Sequence, residues 1–357
     1  MEFGILGLEL SGKTTIFSLL TGHQAAAAPH KREAQVGVAH VPDARLDTLT
    51  AMFKPKKHTP ATVKFVDVPG VTKGGSQSLN LPELRQMDGL AVVVRGFASD
   101  AVPHPEGSVN PARDLELLET EMLLADLSVV TNRLERVEKD LAKKKTPELQ
   151  TEKDLLVRFK AALEKGEPLR GFDVHVEEEK LVKGFGLLMR KPMLVILNAG
   201  EGDAADLAGA IQRAKFDSWK GQPQVAFSAV SAPIEQEIAA MSPEDQGEFL
   251  KGLGLPDRAL DRLLRAAYDL LGLMSFLTAG EDECRAWSIP KGTHAVKAAA
   301  AIHTDFEKHF IRAEVVPFQT LVEAGSFAHC KTHGTLRVEG RDYVVQDGDV
   351  INFRVSA

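Results

Sequence analysis

Phe3-Gly4-Ile5-Leu6-Gly7-Leu8-Glu9-Leu10-Ser11-Gly12-Lys13-Thr14-Thr15-Ile16-Phe17 decides the fold of this 357-residue chain. The apolar run Phe3–Leu6 predicts a buried strand. Gly7 to Thr14 then fits G-x-x-x-x-G-K-[ST], and Thr15-Ile16-Phe17-Ser18-Leu19-Leu20 predicts the start of a helix. A strand, a glycine-bounded loop and a helix in that order form a cradle for phosphate. Glycines let backbone N–H groups turn inward, and the helix adds its unpaired N–H groups and positive dipole end. Gly7, Leu8, Glu9, Leu10, Ser11, Gly12, Lys13, Thr14 and Thr15 are therefore candidate nucleotide-binding residues. Lys13 is expected to reach the β- and γ-phosphates, and Thr14 to offer its hydroxyl to Mg²⁺.

Working outward, apolar runs recur at Phe3–Leu6, Val36–Val41, Val63–Val66 and Leu90–Val94, and again at Met193–Leu197 and Gln224–Phe227. Runs of this kind, alternating with helices, predict a mostly parallel sheet buried on both faces in an α/β domain. Asp67-Val68-Pro69-Gly70 closes the third of them and matches the D-x-x-G element of GTPase-like proteins. There the Asp holds a Mg²⁺ water and the Gly N–H senses the γ-phosphate. Asp67 is thus the second candidate metal residue and Gly70 a candidate nucleotide contact. Asn198-Ala199-Gly200-Glu201 follows the Met193–Leu197 run, where a GTPase carries N-K-x-D. Ala199 replaces the Lys and Glu201 the Asp that would pair with guanine, which argues against strict GTP specificity. Ser231-Ala232 fits the short element that lines a base pocket, and Ser228-Ala229 competes with it.

Between the two blocks of strands, Leu127, Val130, Leu134, Val137 and Leu141 recur at alternating three and four spacing, a coiled-coil stripe. Thr146-Pro147 is a good N-cap and first helical residue. A second stripe runs through Leu149, Leu156, Phe159 and Leu163. An antiparallel helical hairpin inserted into the sheet domain is expected. Pro243 to Leu271 reads as helical. From Met274 short strands and turns predict a small α+β domain, with one helix around His294 to His303.

Composition sets the remaining limits. Hydrophobic residues make up 44%, enough for packed cores, and the net charge of −7 leaves any nucleic-acid contact to local patches. Such patches are Lys54–Lys57 with His58, Lys143–Lys145, and Lys297 with Lys308; solvated surface is the plainer reading of each. Cys284 and Cys330 lack metal spacing, and a reduced cytoplasmic protein with no membrane span is expected. His303 and His309 do not share a helix face and are not expected to bind metal. Trp287 and Phe306 are expected to pack the small domain rather than stack on bases.

Taken together the chain resembles the YchF/Obg-like ATPase family of translation-factor-related P-loop NTPases. The resemblance covers nearly the whole chain. It includes Val41-Pro42-Asp43-Ala44-Arg45-Leu46, Arg95-Gly96-Phe97 and Asp114-Leu115-Glu116 through Asp126-Leu127. It is densest in Phe276-Leu277-Thr278-Ala279-Gly280-Glu281, Arg285-Ala286-Trp287, His303 through Lys308, Phe310 through Val315 and Tyr343 through Asp349. It implies a nucleotide-binding domain over 1–125 and 190–272, a helical coiled-coil insertion over 126–189, and a C-terminal ubiquitin-like TGS domain over 273–357. It also implies slow hydrolysis of ATP, in preference to or alongside GTP, and association with the ribosome. Asn198, Ala199, Glu201, Ser231 and Ala232 would then form the base site. In such proteins the residue after D-x-x-G, here Val71, cannot orient water. A loop histidine is the proposed substitute, which makes His104 the catalytic candidate beside Lys13.

Three departures from the family pattern stand out. Leu10-Ser11 replaces Asn-Val in the loop. Lys31 aligns with a Thr that would ligate Mg²⁺, and Lys31 or Arg32 could reach the γ-phosphate instead. Gly74 to Leu81 is also altered. A nucleotide-gated ribosome- or RNA-binding module with vestigial hydrolysis is therefore the alternative to an active ATPase.

Overall fold

The computed structural model describes residues 1–22, 34–69 and 81–356. Gly70, Val71, Lys31, Arg32 and the Gly-rich stretch up to residue 80 lie outside them. In chain order the strands are β1 (Glu2–Gly7), β2 (Gln35–His40), β3 (Lys57–Thr59), β4 (Thr62–Asp67), β5 (Gly89–Gly96), β6 (Met193–Ala199), β7 (Val225–Val230), β8 (Leu273–Thr278), β9 (Glu283–Pro290), β10 (Phe310–Pro317), β11 (Arg337–Glu339) and β12 (Asp349–Val355). The backbone divides into two compact units, Met1–Ala39 with Lys64–Ala266, and His40–Val63 with Ala267–Ala357.

The first unit is built on a six-stranded sheet of order β2-β4-β1-β5-β6-β7. β1 pairs in parallel with both β4 and β5, and β5, β6 and β7 continue in parallel. The reason is in the sequence. Met193–Ala199 is buried along its whole length, and β5 is buried over all but its last residue. Strands apolar on both faces fit only inside a sheet covered on both sides. β1 ends at Gly7, beside Val93 of β5. There an added Cβ would fall 2.6 Å from the Val93 carbonyl oxygen, so only glycine permits this approach.

Helices Pro111–Lys143 and Pro147–Glu164 pack on each other across a three-residue link. Thr146 accepts a hydrogen bond from the Leu149 N–H and Pro147 opens the second helix, as the Thr-Pro pair predicts. Val130, Val137, Leu155, Leu156 and Phe159 are fully buried. Glu152, also buried, takes both Nε and Nη2 of Arg133 at 2.6 and 2.8 Å. Lys143–Lys145 stay exposed at the link. Further along, Asp126 is fully buried and joins Arg85 Nη1 at 2.7 Å to the Met189 N–H at 2.8 Å. Desolvation pushes its carboxyl above the usual range, against the pull of those donors.

The second unit has a sheet of order β11-β10-β12-β8-β9-β3. Helix Ala295–Ile302 lays Ala295, Ala298 and Ala299 on a core of Met274, Phe276, Ile289, Val315, Ile351 and Phe353. Trp287 and Phe306 pack against that core, as their size predicts, and Trp287 stacks on Phe276 with ring centroids 6.3 Å apart. Within residues 343–346 Val344 makes an isolated antiparallel bridge to His294. β3 adds to the sheet edge in parallel with β9, and Lys56 meets Asp282 at 2.8 Å. The backbone of Lys56 and Lys57 is therefore tied within this unit, while both side chains stay exposed. Cys284 and Cys330 are both buried thiols.

Candidate functional site

The site grows from the end of β1. After Gly7 the chain turns, with the Ser11 N–H donating to the Leu8 carbonyl at 3.3 Å. Leu10 adopts a left-handed backbone at φ 61° and Gly12 at φ 87°. Gly12 precedes helix Lys13–Thr21, which has no side-chain cap. Its first N–H groups are therefore free of any protein side chain and suited to an anion.

Two side chains of the first turn reach the end of β4. Lys13 Nζ lies 2.8 Å from Asp67 Oδ1, and Thr14 Oγ1 donates to Asp67 Oδ2 at 2.8 Å. The Asp67 carboxylate thus occupies the lysine that a phosphate would claim. Thr14 and Asp67 supply hard oxygens side by side, the donor class Mg²⁺ prefers. These residues fit a Mg²⁺–phosphate group, and binding it requires Lys13 to exchange its carboxylate partner for phosphate.

Asn198, at the end of β6, organises the opposite wall. Its Nδ2 donates to the Ser11 carbonyl at 3.0 Å, and its Oδ1 accepts the Ala232 N–H at 3.3 Å. One buried side chain therefore ties the phosphate loop to the start of helix Ala232–Ala240. This contact places Ala232, rather than Ala229, beside the loop. Ser228 lies within β7, opposite Ile196. A cavity of about 550 Å³ opens here, lined by Gly12, Thr15, Phe97, Asn198, Ala199, Glu201, Ala232 and Gln236 among others. Ser11 Oγ and Ser231 Oγ are buried with no hydrogen-bond partner among the described residues. Such orphaned hydroxyls are uncommon and are satisfied by a ligand or water.

His104 stands in a separate network. Its side chain is 4% exposed, and its Nε2 lies 2.9 Å from Asp114 Oδ2. The Glu106 N–H donates to its Nδ1 at 3.1 Å. Asp114 also receives Nε and Nη2 of Arg113 at 3.1 and 2.7 Å. Arg95 is buried below and donates to the carbonyls of Phe97, Val102 and Pro103. Desolvation lowers its pKa, opposed by the Asp114 charge. Sequence reasoning gave no role to Arg95 or Asp114. The available signal was Asn110-Pro111, which marks a helix start and so puts Asp114 in the first turn.

Against this geometry the relatives are informative. The family model YchF-GTPase_C, described as a protein of unknown function, matches residues 273–356. The "Ribosome-binding ATPase YchF" of Bacillus subtilis (strain 168) is 41% identical, over 98% of each chain. The chain belongs to the YchF family. The protein of the same name from Escherichia coli O157:H7 is 38% identical over 98% of each chain. "Obg-like ATPase 1" of Caenorhabditis elegans is 35% identical over 100% of this chain and 92% of its own. Among solved structures, the Schizosaccharomyces pombe YchF GTPase superposes with a TM-score of 0.85 at 28% identity, covering 99% of this chain and 97% of that one. No helix among the described residues of this YchF-family chain is long and apolar enough to cross a membrane.

Proposed function

We propose that the chain is a P-loop nucleoside triphosphatase that binds ATP in preference to, or alongside, GTP, hydrolyses it slowly, and associates with the ribosome in the cytoplasm. The observation that carries this is the convergence of Lys13, Thr14 and Asp67 at the uncapped start of helix Lys13–Thr21. In this reading the backbone from Gly7 to Thr15 cradles the phosphates, with Gly70 at the γ-phosphate. Lys13 leaves Asp67 for the β- and γ-phosphates, while Thr14 and Asp67 would hold Mg²⁺. The metal would supply charge neutralisation on the phosphate oxygens. The base would lie in the cavity beside Asn198, Ala199, Glu201, Ser231 and Ala232. Ala199 and Glu201 stand where guanine recognition needs Lys and Asp, and relatives named as ATPases support the adenine preference.

Residues 1–125 and 190–272 carry the nucleotide, 126–189 form a coiled-coil insertion, and 273–357 a TGS domain of ubiquitin-like β-grasp type. His104 positions the attacking water. The locked state of its imidazole favours the second reading, a nucleotide-gated binding module with vestigial hydrolysis. Phosphate release in Mg²⁺ with ATP and with GTP, alongside cosedimentation with ribosomes, separates them. Faster release from ATP supports the ATPase. Ribosome cosedimentation that responds to nucleotide, without release from either, supports the module.

A further inference from the structure

We propose that Asp114 is a positioning residue that holds His104 in a resting place, from which the imidazole must be released before it can orient water. The proposal rests on the triphosphatase reading above and extends it to how turnover is restrained.

A neutral imidazole has one N–H donor and one acceptor nitrogen. Nδ1 of His104 accepts the Glu106 N–H at 3.1 Å, so it carries no proton. The proton is then on Nε2, which donates to Asp114 Oδ2 at 2.9 Å. The tautomer is assigned from these partners. Both nitrogens are spent, and the pair is 4% and 2% exposed, so no lone pair faces a water. In this arrangement His104 can neither accept a proton from water nor hold water by a hydrogen bond.

The hold is built from both sides of the loop. Arg95 fastens its beginning through the Phe97, Val102 and Pro103 carbonyls. Arg113 fastens its end through the Ser108 carbonyl at 2.7 Å. Asp114 lies in the first turn of helix Pro111–Lys143, where the helix dipole favours a negative charge. Arg113 pairs with the second oxygen, Asp114 Oδ1, through two nitrogens. When the imidazole leaves, Asp114 therefore keeps a cationic partner and is not left as a lone buried charge. The latch can open without the penalty that breaking an isolated buried pair carries.

The test uses the full chain. Asp114→Asn keeps the shape and removes the charge. It is expected to raise the turnover number for Mg²⁺-ATP about fivefold, the difference between a charged and a neutral hydrogen bond, with KM unchanged. In a His104→Ala background the same substitution is expected to change nothing. Turnover that is unchanged or lowered by Asp114→Asn, or raised equally without His104, overturns the proposal. The wild-type chain gives a second measurement that needs no variant to fold. Long-range ¹H–¹⁵N spectra are expected to report the Nε2–H tautomer for His104 without nucleotide, and loss of that signature with Mg²⁺ and a non-hydrolysable ATP analogue. An Nδ1–H tautomer, or a signature unmoved by the analogue, contradicts it. If Lys13→Ala releases phosphate as fast as wild type, the triphosphatase reading itself fails. The nucleotide-free tautomer still reports on the resting place.

Discussion

At the phosphate corner Lys13 pairs with Asp67, and in the loop after β5 His104 pairs with Asp114. Both are charged or polar pairs with little exposure, and both sit at the end of a sheet strand or the start of a helix. They differ in what is left over. Around Lys13 stand a helix start with no side-chain cap and an orphaned Ser11 hydroxyl. Thr14 and Asp67 have oxygens to offer a cation. Around His104 the described polar groups are all engaged: the Glu106 N–H and Asp114 take its two nitrogens, Arg113 takes the other Asp114 oxygen, and Arg95 takes the carbonyls of Phe97, Val102 and Pro103. A corner with spare donors can exchange an internal partner for a ligand. A loop without them has to come apart before it can act.

Four substitutions test that contrast, read as denaturant midpoints at constant m-value. Gly12→Ala is expected to cost most, about 2–3 kcal/mol. Roughly 1–2 comes from a Cβ in left-handed backbone and about 1 from a displaced Asn198 bond. The added Cβ would fall 2.2 Å from Asn198 Nδ2, so the corner itself is disturbed. Asn198→Ala follows at about 2 kcal/mol, one hydrogen bond each to the Ser11 carbonyl and the Ala232 N–H. His104→Ala is expected to cost about 1.5 kcal/mol, the low end for a bond to a charged group, since Arg113 still satisfies Asp114. A cost near zero there means the loop is not locked. Thr146→Ala, remote from both regions, is expected to lose about 1 kcal/mol of capping energy and leave nucleotide affinity unchanged.

The same contrast explains what could be read in the sequence. The meeting of Lys13, Thr14 and Asp67 was legible because each lies at a fixed offset from a strand end or helix start, and local pattern encodes those offsets. The parallel sheet was legible from its apolar runs. Asn198 stood out in the sequence as a candidate base-site residue, but its clamp on Ser11 and Ala232 was not legible, since it joins residues 187 and 34 positions apart. His104, flanked by Pro103 and Pro105, has the local signature of an exposed loop. Only the fold brings Asp114 over it. Lys57 and His58 looked like part of a basic patch, and no local pattern reveals that they form an edge strand beside β9. Pairings over such separations depend on tertiary packing, which periodicity does not carry.

In the proposed cycle Lys13 exchanges Asp67 for nucleotide phosphate. Titration calorimetry of the full chain with a non-hydrolysable ATP analogue in Mg²⁺, for wild type and for Lys13→Ala, tests it most directly. Saturable one-to-one binding by the wild type and none measurable for Lys13→Ala, with both proteins folded, is expected. Equal affinity in the two proteins, or no binding by the wild type, would contradict it.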